Sequence, residues 1–314
     1  MDQTIIIGSG MAGIACARAL AAAGLPVRVL DKGRGIGGRM ATRRVALPTG
    51  EVTFDHGAQY MRPRDPAFAQ ALATAGAVAW PDGSDHDRLV GMPGMSSVPR
   101  AMAAGLTVSQ QAEVTAIVRQ DGIWTLETGA GDLRAGRVVL TVPAPQAAGL
   151  LGPMHAFAPH LARVTMDPCL TLMAAFPPDS ARPFVQRSDP THDLAWIAQD
   201  NAKPGRTDQA VTWVAQAGLP FSHAHLEGNT DDIAAQMLWL LAEVLGVDPQ
   251  QALYARAHRW RYAQAGAALG QPFLRDDGRT LFVGGDWCLG ARAEDAWQSG
   301  RAIARDILES ANAV

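Results

Sequence analysis

The chain opens with an apolar run that is followed by glycines and then by a second apolar run. Residues 3–7 are rich in isoleucine and predict a buried strand, and the alanine-rich stretch 14–23 predicts a helix that ends at Gly24. Residues 26–30 predict a second strand, which ends at Asp31. A strand, a helix and a strand in this order favour a parallel sheet.

The rest of the first half contains fewer and shorter apolar patterns. They predict a helix at 66–76 and strands at 107–118, 122–128 and 137–142. The dipeptide Asp121-Gly122 is typical of a tight hairpin turn, so the strands on either side of it are expected to pair.

After residue 153 apolar and polar positions alternate. This pattern predicts strands at 165–176, 193–199, 208–216 and 252–262, in an antiparallel sheet with one wet face. Asn229 and Gly246 bound a predicted helix at 230–245. A strand at 279–283 and an amphipathic helix at 293–311 follow, so the first and last segments are expected to form one domain around an insert.

Composition agrees with a globular protein, because 48% of the 314 residues are apolar and the net charge is −3. This balance gives no sign of a nucleic-acid partner. Cys16, Cys169 and Cys288 are scattered, which favours a reducing compartment and predicts neither a disulfide framework nor a metal site. No apolar run reaches the roughly 18 residues of a membrane span, so we expect no membrane partner and a cytoplasmic location. The oligomeric state stays open.

The glycines after the first strand have the spacing of a dinucleotide-binding loop. In Gly8-Ser9-Gly10-Met11-Ala12-Gly13 the first glycine permits a tight turn, and the second lets the backbone approach a pyrophosphate. The third allows the helix to pack on the sheet. Asp31, at the end of the next strand, can accept hydrogen bonds from a ribose diol and disfavours a 2′-phosphate. NAD and FAD therefore both remain open, and NADP does not fit this site.

Residues 31–44, DKGRGIGGRMATRR, separate these two cofactors because a simple NAD dehydrogenase needs no second glycine- and arginine-rich segment. This segment resembles the second FAD motif of the flavin amine oxidase superfamily. With residues 54–60, FDHGAQY, it is similar to the renalase-type branch of that superfamily. The resemblance implies that Ala12, Arg39, Gln59 and Tyr60 bind FAD.

The C-terminal stretch LFVGGDWCLGARAEDAWQSGRAIARDI resembles the final FAD motif of these flavoproteins. The resemblance implies that Asp286 takes the ribityl hydroxyls and that the following helix points its N-terminus at the flavin pyrimidine edge. The predicted cofactor is non-covalent FAD, because no cysteine occurs where covalent relatives attach it. The full predicted FAD set is Gly8, Gly10, Met11, Ala12, Gly13, Asp31, Lys32, Gly38, Arg39, Met40, Gln59, Tyr60, Val114, Gly285, Asp286 and Ala296.

The resemblance implies an α/β fold of the p-hydroxybenzoate hydroxylase-like type. An FAD-binding Rossmann-like parallel sheet is expected beside a mixed, largely antiparallel sheet in a substrate domain. The predicted FAD-binding domain is discontinuous, at 1–80, 100–152 and 265–314, and the substrate domain takes 81–99 and 153–264.

The substrate half gives fewer clues. In HRWRYA the alternation places His258, Trp260 and Tyr262 on one strand face, and these three with Trp196 are the predicted catalytic set. A half-buried strand with an aromatic core face is the alternative. The loop NAKPGR is similar to a loop of bacterial renalase-like proteins, and this resemblance implies Lys203 or Arg206 as receiver of a substrate phosphate.

The leading hypothesis is an FAD oxidase that takes a hydride from a small reduced substrate and gives electrons to O2, with release of H2O2. The renalase resemblance implies 2- and 6-dihydro isomers of NAD(P)H as substrates and NAD(P)+ as product. A flavin amine oxidase acting on a small amine is an alternative, in which only Lys203 can serve as the lysine near the flavin. A non-catalytic flavin-binding redox sensor is the alternative from another class.

Overall fold

The computed structural model describes residues 3–84 and 87–311. Its helices are α1 (Met11–Ala22), α2 (Pro66–Thr74), α3 (Ser97–Met102), α4 (Ala144–Leu151), α5 (Ala158–Leu161), α6 (Leu219–Ala224), α7 (Thr230–Leu245) and α8 (Ala293–Ala311). Short 3-10 helices lie at Gly38–Met40, Asp200–Ala202, Pro249–Gln251 and Asp286–Cys288. None of the helices within these described residues has the length and apolarity that crossing a bilayer requires.

The first nine strands are β1 (Thr4–Ile7), β2 (Val27–Leu30), β3 (Thr42–Leu47), β4 (Gly50–Asp55), β5 (Val78–Ala79), β6 (Leu89–Val90), β7 (Val108–Ser109), β8 (Val114–Gln120) and β9 (Ile123–Thr128). The other nine are β10 (Leu133–Ala135), β11 (Arg137–Leu140), β12 (Thr165–Phe176), β13 (Gln186–Ser188), β14 (Leu194–Gln199), β15 (Val211–Ala217), β16 (Tyr254–Ala267), β17 (Phe273–Arg275) and β18 (Leu281–Gly284).

The six-stranded sheet has the order β17-β18-β11-β1-β2-β7, and only β17 runs antiparallel to its neighbour. One face packs on α1 and α8, and the other packs on the small sheet β8-β9-β10 and on α4. Because β1, β2, β11 and β18 are parallel, the segments after their carboxyl ends meet along one edge. This edge is the position at which open α/β sheets bind ligands.

The five-stranded sheet is antiparallel, with the order β13-β14-β15-β12-β16. One face buries Leu172, Trp213 and other apolar residues against α7. The opposite face buries Met173 and Val214 against the hairpin β3-β4. Since residues two apart on a strand share a face, this second face also carries the polar residues Thr171 and Gln216 beside Met173 and Val214.

The fold class predicted from the sequence is confirmed. The strand at 165–176 and the helix at 230–245 have the predicted bounds. The division into two domains stays a prediction, and the two main sheets are the observation that supports it. Within the predicted domain ranges, residues 1–2, 85–86 and 312–314 lie outside the described residues.

Two predicted strands differ from the structure. The stretch 107–118 is two strands, because the chain leaves the six-stranded sheet after Ser109 and enters the three-stranded sheet at Val114. The stretch 252–262 extends to Ala267, because β16 follows the whole length of β12 as its antiparallel neighbour. The hairpin β3-β4, whose first strand begins within the glycine-rich segment 31–44, was not predicted.

Candidate active site

The glycine loop between β1 and α1 has the backbone geometry that its spacing predicts. Gly8 has φ of +110°, a conformation that favours glycine. A Cβ on Gly13 would lie 1.9 Å from the Gly8 carbonyl oxygen, so only glycine lets α1 begin this close to the strand. A Cβ on Gly10 would meet no atom within 4 Å, because Gly10 borders open space. The loop therefore combines one tightly packed glycine with one that faces a cavity.

The second glycine-rich segment packs directly against this loop. Gly37 donates its N–H to the Ser9 carbonyl at 3.0 Å. Gly38 has φ of +53°, and a Cβ there would lie 3.4 Å from the Gly10 Cα. The glycines of residues 31–44 thus allow two backbone segments to lie side by side at the edge of the cavity.

Asp31 lies where β2 ends, beside the same loop. Its Oδ2 accepts hydrogen bonds from the Ser9 N–H at 2.6 Å and from the Ser9 hydroxyl at 2.7 Å, and its Oδ1 accepts from the Gly33 N–H at 2.7 Å. These bonds fix the carboxylate at the cavity wall. A carboxylate offers about four lone-pair positions, so this one still has acceptor capacity for a ligand hydroxyl.

Arg39 and Asp286 form a two-pronged ion pair across the cavity wall. Arg39 Nη2 lies 2.6 Å from Asp286 Oδ1, and Nη1 lies 2.8 Å from Oδ2. Arg39 Nη1 also donates to the Ala263 carbonyl at 2.9 Å. Sequence reasoning placed both residues in the site but did not foresee that they bind each other. The pair connects the segment after β2 to the segment after β18.

The cavity has a volume of about 1860 Å³ and lies between the two main sheets. Single-ligand pockets measure roughly 300–1,000 Å³, so this one has room for two molecules side by side. Its wall contains most of the predicted FAD set, namely Gly8, Gly10, Met11, Asp31, Lys32, Gly38, Arg39, Met40, Gln59, Tyr60, Val114, Asp286 and Ala296.

Ala12, Gly13 and Gly285 of the predicted FAD set lie behind this wall. Ala12 is covered by α8, where a Cβ on Gly300 would come within 2.0 Å of the Ala12 carbonyl oxygen. Gly13 packs on the end of β1, and Gly285 packs under the Trp287 ring. These three residues contribute to the site indirectly, because they let the neighbouring helices and loops pack closely and so place the residues that line the cavity.

At the other side of the cavity, one row of cross-strand neighbours lies on the five-stranded sheet. The row consists of His258 on β16, Thr171 on β12, Gln216 on β15 and Trp196 on β14. Gln216 Nε2 donates to the Gly57 carbonyl at 2.8 Å, so the row carries the segment 56–60 that follows β4. The register of four strands therefore places this segment between the sheet and the cavity.

His56 and His258 form an aromatic cluster with Trp260 in the cavity wall. The imidazole centroids are 4.8 Å apart, and the Trp260 ring lies 5.3 Å from His56 and 4.3 Å from His258. Burial, with the positive charge of Arg43, lowers the pKa of both imidazoles to about 4. Both are therefore neutral at physiological pH. His56 was not in the predicted site, because its proximity to His258 depends on strands about 200 residues apart.

Tyr60 and Trp196 form a second aromatic pair in the wall, with ring centroids 5.6 Å apart. The Arg88 guanidinium stacks on both rings, at 4.4 Å from the Tyr60 centroid and 5.0 Å from that of Trp196. Asp82 pairs with Arg88. A cation thus already occupies one face of each ring.

The four predicted catalytic residues all lie in the cavity wall: His258, Trp260, Tyr262 and Trp196. Arg259 and Arg261 lie on the opposite strand face, as the alternation predicts, where they bond to Gly228 and Glu227 before α7.

Two comparisons with known families agree with this geometry. The family described as flavin containing amine oxidoreductase matches residues 81–308, and the NAD(P)-binding Rossmann-like domain matches residues 6–74. The chain belongs to the flavin containing amine oxidoreductase family. The protein is accordingly an FAD-dependent oxidoreductase, and FAD is the cofactor for which the glycine loop is built.

Solved structures share the fold across nearly the whole chain. A putrescine oxidase bound to putrescine is 14% identical with a TM-score of 0.71, and covers 98% of this chain and 99% of its own. The cyclohexylamine oxidase from Brevibacterium oxydans IH-35A is 16% identical with a TM-score of 0.69, and covers 99% of each chain. At such identities the likeness concerns the fold.

The residues present fit the cofactor of a flavin amine oxidoreductase. Gly10 leaves open space where a pyrophosphate would approach the backbone, and Asp31 and Asp286 retain acceptor positions for hydroxyl groups. At the N-terminus of α8, Glu294 accepts the Arg64 and Asp65 N–H groups at 3.1 and 2.6 Å. These bonds fix the helix end that faces the cavity.

Lys203 and Arg206 do not reach the cavity of this flavin oxidoreductase, so the prediction that either receives a substrate phosphate is wrong. Their side chains are 0% and 1% exposed, and both pair with Asp55. The sequence pattern of a polar loop hid these partners, which lie about 150 residues earlier in the chain.

Two of the three cysteines lie away from the cavity wall. Cys16 and Cys288 are fully buried, and Trp287, which precedes Cys288, donates to the Val142 carbonyl at 3.0 Å. Neither Trp287 nor Cys288 is therefore among the described residues of the cavity wall. Cys169 does line the cavity, and burial raises the pKa of its thiol to about 11. The thiol is protonated at neutral pH and is a poor nucleophile.

Proposed function

We propose that this flavin oxidoreductase oxidises anionic dihydropyridines, most specifically the 2- and 6-dihydro isomers of NAD(P)H, to NAD(P)+. The observation that carries the proposal is the charge of the cavity wall. Besides Arg259 and Arg261, whose side chains bond on the opposite strand face, eight arginine and lysine residues line it, against four carboxylates. Two negative charges on the FAD pyrophosphate balance only part of this excess, and a phosphate-bearing substrate balances more.

The four carboxylates of the wall are already engaged. Asp286 binds Arg39, Asp31 binds Ser9, Glu294 binds backbone N–H groups, and Glu113 lies 3.8 Å from Lys32. None of them is oriented alone towards the interior as a counter-ion for an ammonium group.

Arg43 supplies positive charge at the side of the cavity that faces the five-stranded sheet. Its charge contributes to the lowered pKa of His56 and of His258. A field that disfavours protonation of an imidazole also disfavours an ammonium ion at the same place. The same field favours the phosphates of a nucleotide.

FAD held at this cavity would supply the hydride acceptor and the route by which two electrons reach dioxygen. In balanced form, the dihydropyridine, O2 and one proton give NAD(P)+ and H2O2. The ring nitrogen of a dihydropyridine already drives hydride departure, so the chain needs no strong base beside the reacting carbon. His56, His258 and Trp260 then act by packing against the substrate ring and excluding water.

Oxidation of a small amine is the second candidate, and the aromatic pair Tyr60 and Trp196 favours it because such rings bind cations. The stacked Arg88 guanidinium weakens this attraction, since it occupies the same π systems from the other side. The lysine that this reaction would use is also absent from the cavity wall, as Lys203 is buried in ion pairs.

Anaerobic stopped-flow absorbance of the FAD-loaded protein tests the proposal. We expect fast bleaching of the oxidised flavin band by borohydride-reduced NAD+, which contains the 2- and 6-dihydro isomers, and slow or no bleaching by 4-dihydro NADH. Putrescine, cyclohexylamine and other small amines form the comparison panel. Bleaching by an amine and not by the isomer mixture would overturn the proposal in favour of amine oxidation.

We also propose that FAD is held without a covalent bond. The raised pKa of Cys169, the one cysteine in the described cavity wall, supports this. Acid precipitation should release all of the flavin into the supernatant, whereas yellow colour in the washed pellet would show a covalent link.

A further inference from the structure

Four charged side chains are buried together behind the cavity wall. Asp55, Asp200 and Lys203 are 0% exposed, and Arg206 is 1% exposed. Two carboxylates face two cations, so the cluster carries no net charge. It lies between β4 and the turn that connects β14 to β15. It therefore joins the segment 56–60, which follows β4, to the five-stranded sheet.

Asp55 is the centre of this cluster. Its carboxylate accepts hydrogen bonds from the Thr42 hydroxyl at 2.7 Å, from the Met95 N–H at 2.9 Å and from Lys203 Nζ at 3.3 Å, and it pairs with Arg206. These donors come from three separate parts of the chain, because Lys203 and Arg206 share one loop. Asp55 therefore fixes the point at which β4 ends and the segment 56–60 begins.

Lys203 extends the cluster towards the cavity. Its Nζ lies 2.7 Å from Asp200 Oδ1, 3.3 Å from Asp55 Oδ2 and 3.3 Å from Gln59 Oε1. All three donors of the ammonium group therefore have an acceptor. Two of these acceptors are charged, and the third belongs to a residue of the cavity wall.

Gln59 is held in one orientation by these bonds. Its Nε2 donates to the carbonyl oxygens of Asp55 and Gly57, at 2.5 and 3.0 Å, while its Oε1 accepts from Lys203. A rotated amide would place its nitrogen against the ammonium group and its oxygen against two carbonyls. Only one rotamer therefore satisfies every partner.

A cluster of this kind is a poor device for stability alone. Burying four charges carries a large desolvation cost, and apolar residues of similar volume often give equal or greater stability. The ion pairs fix the orientation of the side chains, because each donor and acceptor permits few arrangements. This points to a role in orientation at the neighbouring cavity.

We propose that Lys203 is a positioning residue for the bound flavin: through the Gln59 amide it holds the segment 56–60 in a single arrangement at the cavity wall. The proposal uses FAD as the cofactor and rests on no particular substrate. It also gives a purpose to the sequence NAKPGR, whose two cations do not bind substrate.

The protonation of the cluster agrees with this arrangement. Burial works to raise the pKa of Asp55, but the charges of Lys203 and Arg206 outweigh it and hold that pKa below its usual value. Burial raises the pKa of Asp200, and Lys203 opposes this only in part. Without the Lys203 charge, the two buried carboxylates would share Arg206 as their one cation within this cluster.

The experiment compares four variants of the full chain, each loaded with FAD. Lys203→Met removes the ammonium group, and Lys203→Met with Asp200→Asn removes it while keeping the cluster neutral. Gln59→Met removes the amide alone. Arg256→Met is the matched control, because Arg256 also pairs with an aspartate but is 59% exposed and lies outside the cavity wall. Thermal unfolding, the FAD dissociation constant and the flavin absorption spectrum are measured.

We expect Lys203→Met to lower the melting temperature and to weaken FAD binding by roughly tenfold, the effect of losing one hydrogen bond to a charged group. The neutral double variant should recover most of the melting temperature. It should keep the weakened FAD binding and share an altered flavin spectrum with Gln59→Met. Arg256→Met should match the wild type in all three.

Recovery of both stability and FAD binding in the double variant would overturn the proposal, since the cluster would then serve the fold only. If the Lys203 variants fail to fold, Gln59→Met decides, because wild-type FAD affinity and spectrum in that variant would equally refute a positioning role. The melting temperature, the FAD dissociation constant and the flavin spectrum are all measured without substrate. The substrate proposal can therefore fail without affecting this one.

Discussion

The two ends of the cavity are built in different ways. At the nucleotide end, backbone groups of two short glycine-rich segments form the wall, as in the contact of Gly38 with Gly10. At the other end, which is the substrate end under the proposed function, side chains from four strands meet in one row, from His258 to Trp196. The first arrangement is encoded by neighbours in sequence, whereas the second depends on strand register. The backbone wall is therefore suited to any protein that binds the same cofactor, whereas the side chains of the row can differ from one substrate to another.

The largest effect that tests this contrast is expected for Gly13→Ala. The new Cβ would lie 1.9 Å from the Gly8 carbonyl oxygen, so the backbone must move at the start of α1. We expect a loss of roughly 3 kcal/mol in the free energy of unfolding, together with loss of bound FAD. Urea unfolding followed by circular dichroism measures the first.

Gly10→Ala is the control for Gly13→Ala, because its Cβ meets no protein atom within 4 Å. This variant should keep its unfolding free energy and bind FAD roughly tenfold more weakly. Equal losses of stability in the two variants would contradict the distinction between a packing glycine and a cavity glycine.

Arg39→Met should give the second largest effect. Asp286 is only 4% exposed and would lose both prongs of its ion pair. Because Arg39 itself is partly exposed, we expect a loss of about 2 kcal/mol rather than the full cost of an unpaired buried charge. Differential scanning calorimetry of the FAD-free protein gives the value, and Arg34→Met, an exposed arginine of the same segment, should show no loss.

Arg43→Gln tests the substrate end and requires the proposed activity. We expect KM for the dihydro isomers of NAD to rise by roughly tenfold with little change in kcat, because a phosphate loses a charged partner. The isomers of reduced nicotinamide riboside, which have no phosphate, should be unaffected. Arg44→Gln, at the exposed neighbouring position, is the control, and equal effects of the two variants would refute a specific role for Arg43.

The smallest effect is expected from His258→Phe. The pKa of His56 and of His258 falls from the usual 6.5 to about 4 in the folded protein. The unfolded chain therefore binds more protons below pH 6.5, and stability must fall as the pH is lowered towards 4. His258→Phe should reduce the slope of the unfolding free energy against pH, by at most the contribution of one bound proton. The same change at the exposed His160 should leave the slope as it is. Urea unfolding across this pH range would show an unchanged slope if His258 were freely hydrated.

The sequence was informative where one element carries the whole signal. The helix at 230–245 has an asparagine cap at one end and Gly246 in a left-handed conformation at the other, so both bounds are local. The dinucleotide loop was predictable for the same reason, since its glycines and Asp31 lie within one β-α-β unit. The family match agrees with the predicted enzyme class and with FAD.

The substrate end was less accessible because its contacts are distant in sequence. Lys203 was assigned to a substrate phosphate because its loop is similar to one in renalase-like proteins, yet its partner Asp55 lies at the end of β4, about 150 residues earlier. The hairpin β3-β4 was missed because residues 42–44 were attributed to the cofactor motif. His56 joined the site only through its contact with His258, which no spacing rule reveals.

The ion pair between Arg39 and Asp286 also bears on how the protein is made. β1 obtains its neighbour β11 only after residue 140, and β18 and Asp286 come about 140 residues later still. A ribosome adds roughly 5–20 residues each second, so the early glycine loop waits many seconds for the partners that complete its pocket. We therefore expect FAD to bind only after the segment that carries Asp286 has been made, so that the newly made N-terminal half passes that interval without its cofactor.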